Sequence, residues 1–288
     1  MAAANSKNGE TMKARRKKAA MPPSKKSEAT FGNFAKITKS PTYLKMTPTK
    51  KWKKWMAVGC SHGDLIDEEA RKAVLTFKDR WKPDTTFHLG DFLDLAAFRS
   101  GAVNDPNSAD RAASVSDDLS AGIDFLHELR PQHILFGNHE ARLYKLAASP
   151  NALSAHAATL TIQAIEKTAK ELKAKLYPYH IRSFAELGGT KFLHGYMFNV
   201  QAIRDHAETY GNMLMAHLHR VGSERARTIE GATGYCVGML ARFDMDYASQ
   251  RRATLAWSQG FAYGHYTDNS LTVNLCERKK QNPWLLPL

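Results

Sequence analysis

His133-Ile134-Leu135-Phe136-Gly137-Asn138-His139-Glu140, residues 133–140, reads as a buried strand that stops at a glycine and presents three polar side chains at its carboxyl end. A short apolar run closed by a turn residue suits a strand covered on both faces. The same pattern recurs along the chain. Trp55-Met56-Ala57-Val58-Gly59 runs into Cys60-Ser61-His62-Gly63-Asp64, and Thr85 to Leu89 runs into Gly90-Asp91-Phe92-Leu93-Asp94. Phe192-Leu193 leads to His194-Gly195, and Asn212 to Ala216 leads to His217-Leu218-His219. One such motif would mean little; five in series, each at a predicted strand end, point to one shared site.

Helices are predicted between the strands. Ala70, Val74, Leu75 and Phe77 fall at helical spacing over 67–81, with Asp67, Glu68 and Glu69 suited to the first turn. A longer amphipathic helix is expected over 110–129, stopped by Pro131, and helical stretches over about 140–147 and 152–175. From 223 to 240 and from 253 to 276 the chain is rich in Gly, Thr, Tyr and β-branched residues, which suggests further strands. Alternating strands and helices indicate a layered α/β domain. No internal repeat is evident.

The 288 residues leave room for one large domain or two small ones. The chain is 43% hydrophobic and 24% charged, a globular mixture rather than a disordered one. No apolar run approaches the roughly 18 residues that cross a membrane, and no apolar signal-peptide core opens the chain. Three cysteines do not make a disulfide framework, so a cytoplasmic, reducing setting is expected.

Charge divides the chain. Residues 1–56 hold fifteen Lys or Arg against two Glu, a charge of +13 that equals the whole chain's, so residues 57–288 balance at 26 basic and 26 acidic side chains. Residues 1–54 therefore read as a basic, disordered tail and 55–288 as the folded domain. Arg15, Arg16, Lys17 and Lys18 are the tail's densest cluster, with Lys25 and Lys26 beyond it. Such clusters bind phosphate backbones by counterion release. Trp52, among Lys50, Lys51, Lys53 and Lys54, could stack on a base. The plainer alternative is a solubilising or partner-binding tail, with Trp52 and Trp55 packed on the first strand.

In open α/β sheets, ligands gather at the carboxyl ends of strands. Asp, His and Asn there suit Mn, Fe or Zn. Two ions about 3.5–4 Å apart need a bridging carboxylate, which Gly90-Asp91 offers beside a glycine that lets the backbone pass close.

In this order the motifs resemble the calcineurin-like metallophosphoesterase superfamily. Its pattern is Asp-x-His, Gly-Asp-x-x-Asp, Gly-Asn-His-Asp/Glu, a later His, and Gly-His-x-His. The match covers about residues 55–220, with family-like strands continuing to about 276, and Gly137-Asn138-His139-Glu140 is its most diagnostic piece. The resemblance implies a four-layer α/β sandwich of two mixed β-sheets flanked by helices. It assigns His62 and His219 to a first metal, with Cys60 at the place of the usual aspartate. Asp91 would bridge, and Asn138, His194 and His217 would hold the second metal. His139 would face the substrate, stabilise the transition state and protonate the leaving alkoxide, oriented by Asp94 or Glu140. A hydroxide between the metals would attack phosphorus in line with the leaving oxygen.

Two positions depart from that pattern. A thiolate suits Zn or Fe better than Mg or Mn, so Cys60 either biases the first metal's identity or is a small buried thiol beside a weak or absent one. Asp64 could compensate for it or simply cap a loop. Ala216 stands where the family has glycine, a mild change. Arg142 could meet a substrate phosphate or make a surface salt bridge, while His88 reads as a core or ligand-supporting residue. The leading function is a phosphoesterase with nucleic acid as preferred substrate, the alternative a protein or nucleotide phosphatase, and the further alternative a metal-deficient binding scaffold. Substrate choice is expected in loops, at about 98–110 and 240–262. The sequence gives no oligomeric state.

Overall fold

The structure is a computed structural model in which residues 51–99, 102, 105, 110, 113–245 and 252–287 are described. The basic clusters of residues 1–50 and parts of the loops at 98–110 and 240–262 lie outside the described residues.

Period-two alternation builds the layers. In β1 (Lys53–Val58), Trp55 and Ala57 face one side of the sheet while Met56 and Val58 face the other. The first sheet is ordered β11 (Asn274–Arg278), β10 (Gln259–Tyr266), β1, β2 (Thr85–His88), β3 (His133–Leu135), β4 (Lys175–Tyr177). Strands β1 to β4 are parallel, and β10 and β11 add an antiparallel edge. The second sheet is ordered β5 (Ala185–Leu187), β6 (Thr190–Phe192), β7 (Met213–Met215), β9 (Thr233–Val237), β8 (Val221–Arg225). Here β6, β7 and β9 are parallel and the edge strands antiparallel.

The sheets face each other. Trp55, Phe87 and Leu135 of the first meet Phe192, Leu214 and Val237 of the second. Phe87 and Phe192 stack with ring centroids 4.2 Å apart, and Trp55 meets Phe192 edge-on at 5.3 Å. Burying each such side chain stabilises by roughly 1.5–3 kcal/mol. On the outer face of the first sheet, α1 (Glu68–Trp81) and α2 (Val115–Leu129) cover Met56 and Val58 with Val74, Phe77, Phe125 and Leu129. Beside them, α3 (Glu140–Ala147) and α4 (Ala152–Leu172) pack Leu143, Ile165 and Ala169 around Ile134. On the outer face of the second sheet, α5 (Ala202–Tyr210) sets Ile203 and Ala207 against Met213 and Met215. The result is an α/β fold of two mixed sheets flanked by helices, the four-layer order expected.

Several boundaries differ from the sequence reading. β1 begins at Lys53, ahead of Trp55, because Lys53 and Lys54 pair with Tyr266 and His265 of β10. The helix expected over 110–129 starts at Val115, where the Ser114 hydroxyl accepts the Asp117 N–H at 3.1 Å. The helix expected to reach 175 stops at Leu172, because Lys173 turns left-handed and Lys175–Tyr177 pairs with β3. Residues 252–256, overlapping the start of the stretch read as strand from 253, form a 3-10 turn. The sequence reading missed β4, β5 and α5.

Candidate metal centre

The five motifs follow β1, β2 and β3 in one sheet and β6 and β7 in the other. They therefore converge at the carboxyl ends of parallel strands from both sheets. The backbone bends sharply there. Cys60, His62, Asp91, His217 and His219 all have positive φ, at 52°, 56°, 52°, 69° and 54°. Left-handed geometry costs a non-glycine residue roughly 1–2 kcal/mol. By contrast Lys82, Arg130 and Lys173, also positive, are helix C-caps, where that geometry is usual. At Gly90, φ is 99° and a Cβ would lie 2.6 Å from the Gly137 N and 2.7 Å from His194 Nδ1, so glycine is required.

Cys60 Sγ, a ring nitrogen each of His62 and His219, and a carboxylate oxygen of Asp91 lie within 4.8 Å of one another. Asp91, His194 and His217 form a second such group, so Asp91 belongs to both. His62 Nδ1 donates to Asp94 Oδ1 at 3.0 Å, which leaves its Nε2 lone pair facing His219 Nε2 at 3.1 Å. His194 Nδ1 donates to the Leu89 carbonyl at 2.7 Å. Its Nε2 then faces Asp91 Oδ2 at 3.1 Å and Asn138 Oδ1 at 3.2 Å. In the neutral ring three acceptors point at one another, an arrangement that a cation satisfies. His217 Nε2 is buried with no hydrogen-bond partner. Such an orphan costs about 1–3 kcal/mol unless something outside the chain occupies its lone pair. The residues present therefore fit metal ions.

Two of the rings are in the ligating form. Burial pushes His217 down to about 4 and His219 well below its ordinary value, so both are neutral imidazoles, the ligating form. Burial also opposes the charge on Asp91, but the neighbouring His194, His139 and His62 rings outweigh it and hold the carboxyl well below the usual range. In His194 burial again works downward, and the Asp91 charge with the hydrogen bonds to Asp91 and Leu89 raises the ring overall. Burial, then the Asp91 charge, pushes the Cys60 thiol well above its ordinary value. Its Sγ accepts the His217 N–H at 3.2 Å.

His139 sits between the groups and the opening. Its Nδ1 donates to the Asp94 carbonyl oxygen at 2.6 Å, and the Asp94 carboxylate is 3.5 Å from the same nitrogen. His139 Nε2 lies 3.9 Å from Asp91 Oδ2. Burial lowers this ring to about 3. Among the described residues, no hydrogen bond or ion pair joins Glu140 to the His139 ring. Its carboxylate accepts the N–H groups of Gly137 at 2.8 Å, Asp91 at 3.0 Å and Leu93 at 3.0 Å, tying the second motif to the third. Burial and then the Asp91 charge raise it to about 7. Arg142 donates to the Asp94 carbonyl at 3.4 Å and lines the cavity over the site.

Asp64 is exposed on a 3-10 turn and belongs to neither group. His88 is buried, with Nε2 3.1 Å from the Ser61 hydroxyl and Nδ1 accepting the Gly90 N–H at 3.3 Å, and so supports two motif loops. The sequence reading missed Arg99, which forks onto both Asp94 oxygens at 2.7 and 2.9 Å. It also missed Asp118, which accepts the Asp94 and Leu95 N–H groups at 2.9 and 2.7 Å. Arg99 had no sequence signal beyond being charged near a motif, and Asp118, far from any motif in the sequence, had none. Among the described residues, no helix is long and apolar enough to cross a membrane.

No family model and no curated protein matches this chain. Solved structures that are similar include a conserved uncharacterized protein and predicted phosphoesterase of Streptococcus pneumoniae, at 18% identity and a TM-score of 0.34 over 79% of this chain and 90% of that one. A 5'-nucleotidase precursor of Thermus thermophilus is 10% identical, with a TM-score of 0.36 over 78% of this chain and 54% of its own. The NAD nucleotidase of Haemophilus influenzae is 9% identical, with a TM-score of 0.36 over 83% of this chain and 60% of its own. The chain thus spans less than two thirds of either nucleotidase.

Proposed function

We propose that this chain is a metallophosphoesterase of the calcineurin-like kind, holding two transition-metal ions and hydrolysing phosphate esters. The observation that carries the proposal is the shared carboxylate: Asp91 belongs to two separate ligand groups, one with Cys60, His62 and His219 and one with His194 and His217. Asn138 Oδ1, 3.2 Å from His194 Nε2, completes the second. Mn, Fe or Zn suits these donors, with Zn or Fe favoured beside the Cys60 sulfur. When bound, the ions supply Lewis acidity and positive charge that offset a phosphate's repulsion of a nucleophile.

The chain's own residues do the rest. Asp94 holds His62 with its carboxylate and His139 with its carbonyl oxygen, so one loop sets both rings. With Nδ1 fixed, His139 Nε2 is the atom available to pass a proton to the leaving oxygen. An arriving phosphate anion favours the protonated ring. Arg142 and Arg99 line the same cavity and bring positive charge to the substrate's oxygens. The +13 charge of residues 1–56 supports a polyanionic substrate such as nucleic acid, reached through the tail, with a protein or nucleotide phosphatase as the alternative.

The test is hydrolysis of bis(p-nitrophenyl) phosphate and p-nitrophenyl phosphate by the manganese-loaded chain. His139→Ala is expected to lose about 100-fold or more of the rate, the scale of general acid catalysis. Full activity in that variant would overturn the assignment. A chain that takes up no metal and hydrolyses neither ester would be a binding scaffold, the reading that a cysteine at the usual aspartate position favours.

A further inference from the structure

The cavity over the site, about 760 Å³, has two chemically distinct parts. One is the charged floor of Asp91, Asn138, His139, Arg99 and Arg142. The other is aromatic: Tyr179, Tyr196, Phe198 and Trp257 line the same opening. The rings flank both ligand groups, with Trp257 edge-on to His219 at 4.9 Å between centroids and Tyr179 edge-on to His194 at 5.8 Å. The wall is braced, since the Tyr196 N–H donates to His206 Nε2 at 3.1 Å and the two rings lie 4.7 Å apart. Phe198 stands at the mouth with 84% of its surface exposed. A lone exposed phenylalanine is ordinary. Four aromatic side chains around one opening, beside two guanidiniums, make a surface for a flat ring attached to an anion.

Resting on the phosphoesterase reading, we propose that the phosphate ester bound here carries a purine or pyrimidine, and that its base stacks on the aromatic wall, with Phe198 and Trp257 as contacts, while its phosphate lies at the Arg142 end. The cavity falls within the roughly 300–1,000 Å³ of ligand pockets, enough for a nucleotide or one nucleotide of a strand. Aromatic faces hold bases without reading their sequence, so the subsite selects nucleoside esters as a class over phosphorylated side chains.

The test compares adenosine monophosphate with ribose 5-phosphate, which differ only by the base, so that contacts to phosphate cancel. Both are titrated by calorimetry into the full-length, manganese-loaded His139→Ala chain, together with a phosphoserine peptide. Adenosine monophosphate is expected to bind about tenfold or more tighter than ribose 5-phosphate, the effect of one base–aromatic stack. Adding Phe198→Ala or Trp257→Ala should bring that ratio toward one. Equal affinities, a tighter phosphopeptide, no binding of either sugar phosphate, or a ratio unchanged by both substitutions would overturn the inference. Hydrolysis of the p-nitrophenyl esters by the wild-type chain tests the phosphoesterase reading separately, so the two can fail independently.

Discussion

Ala216 and Gly59 share one space. A Cβ on Gly59 would lie 2.6 Å from the Ala216 methyl, and Ala216 is fully buried between the sheets. The alanine that departs from the family pattern is thus matched by a glycine on the facing strand end. Overpacking here costs about 1–3 kcal/mol, so Gly59→Ala is expected to lower the unfolding midpoint in urea. Ala216→Gly in the same chain should recover most of the loss, and a purely additive double mutant would show that the two positions are uncoupled. Cys60 is the other departure, and its position bears on metal identity. Loading the chain with Co(II) is expected to give a near-ultraviolet thiolate-to-cobalt band that Cys60→Ser removes. An unchanged spectrum in Cys60→Ser would take the sulfur out of the ligand set. The motif residues themselves were legible because their chemistry is unusual in combination. The strained left-handed backbone that aims them, and the Arg99 fork on Asp94, were not, because neither leaves a mark in residue type or spacing.

Among the elements, α2 and α3 hold the loops that carry the proposed ligands. Asp118 of α2 takes the Asp94 and Leu95 N–H groups, and Glu140, at the start of α3, takes those of Gly137, Asp91 and Leu93. Glu140→Ala would leave three buried donors unpaired at about 1–3 kcal/mol each, so a stability loss of several kcal/mol is expected in urea unfolding. Glu140→Gln, which keeps an acceptor oxygen, should lose less; equal losses would contradict this role. Strands β1 to β3 could be read because an apolar run ends at a glycine in each, at Gly59, Gly90 and Gly137, and helices α1 and α2 because their apolar residues recur at helical spacing. The strands β4, β5 and β6 have three residues each, too few to show alternation. β6 was found through Phe192-Leu193, but β4 and β5 were not. Gly188 and Gly189, both with positive φ between Leu187 and its partner Thr190, form the hairpin turn, and that Gly-Gly pair was the available signal. α5 hides because its buried face is Ala202, Ile203, His206 and Ala207, with one large apolar side chain among them.

For the whole molecule, the first sheet supplies Cys60, His62, Asp91 and Asn138, and the second supplies His194, His217 and His219. Metal binding at the proposed site would therefore fasten one sheet to the other, and a ligand bound only by the folded chain stabilises it by about 2.7 kcal/mol at one hundred times its Kd. A chelator is expected to lower the thermal midpoint of the wild-type chain, and Asp91→Asn, which weakens both groups at once, should nearly abolish that shift. The layered architecture was legible because strands and helices alternate; the meeting of the two sheets at one edge is a tertiary fact that no local pattern encodes. The central claim is that Asp91 serves two metals in one site, and metal content per chain tests it most directly. The purified chain, loaded with zinc and freed of excess metal, is expected to hold about two ions, with Asp91→Asn holding one or none. A wild-type chain that saturates at one ion, or holds none, would contradict it.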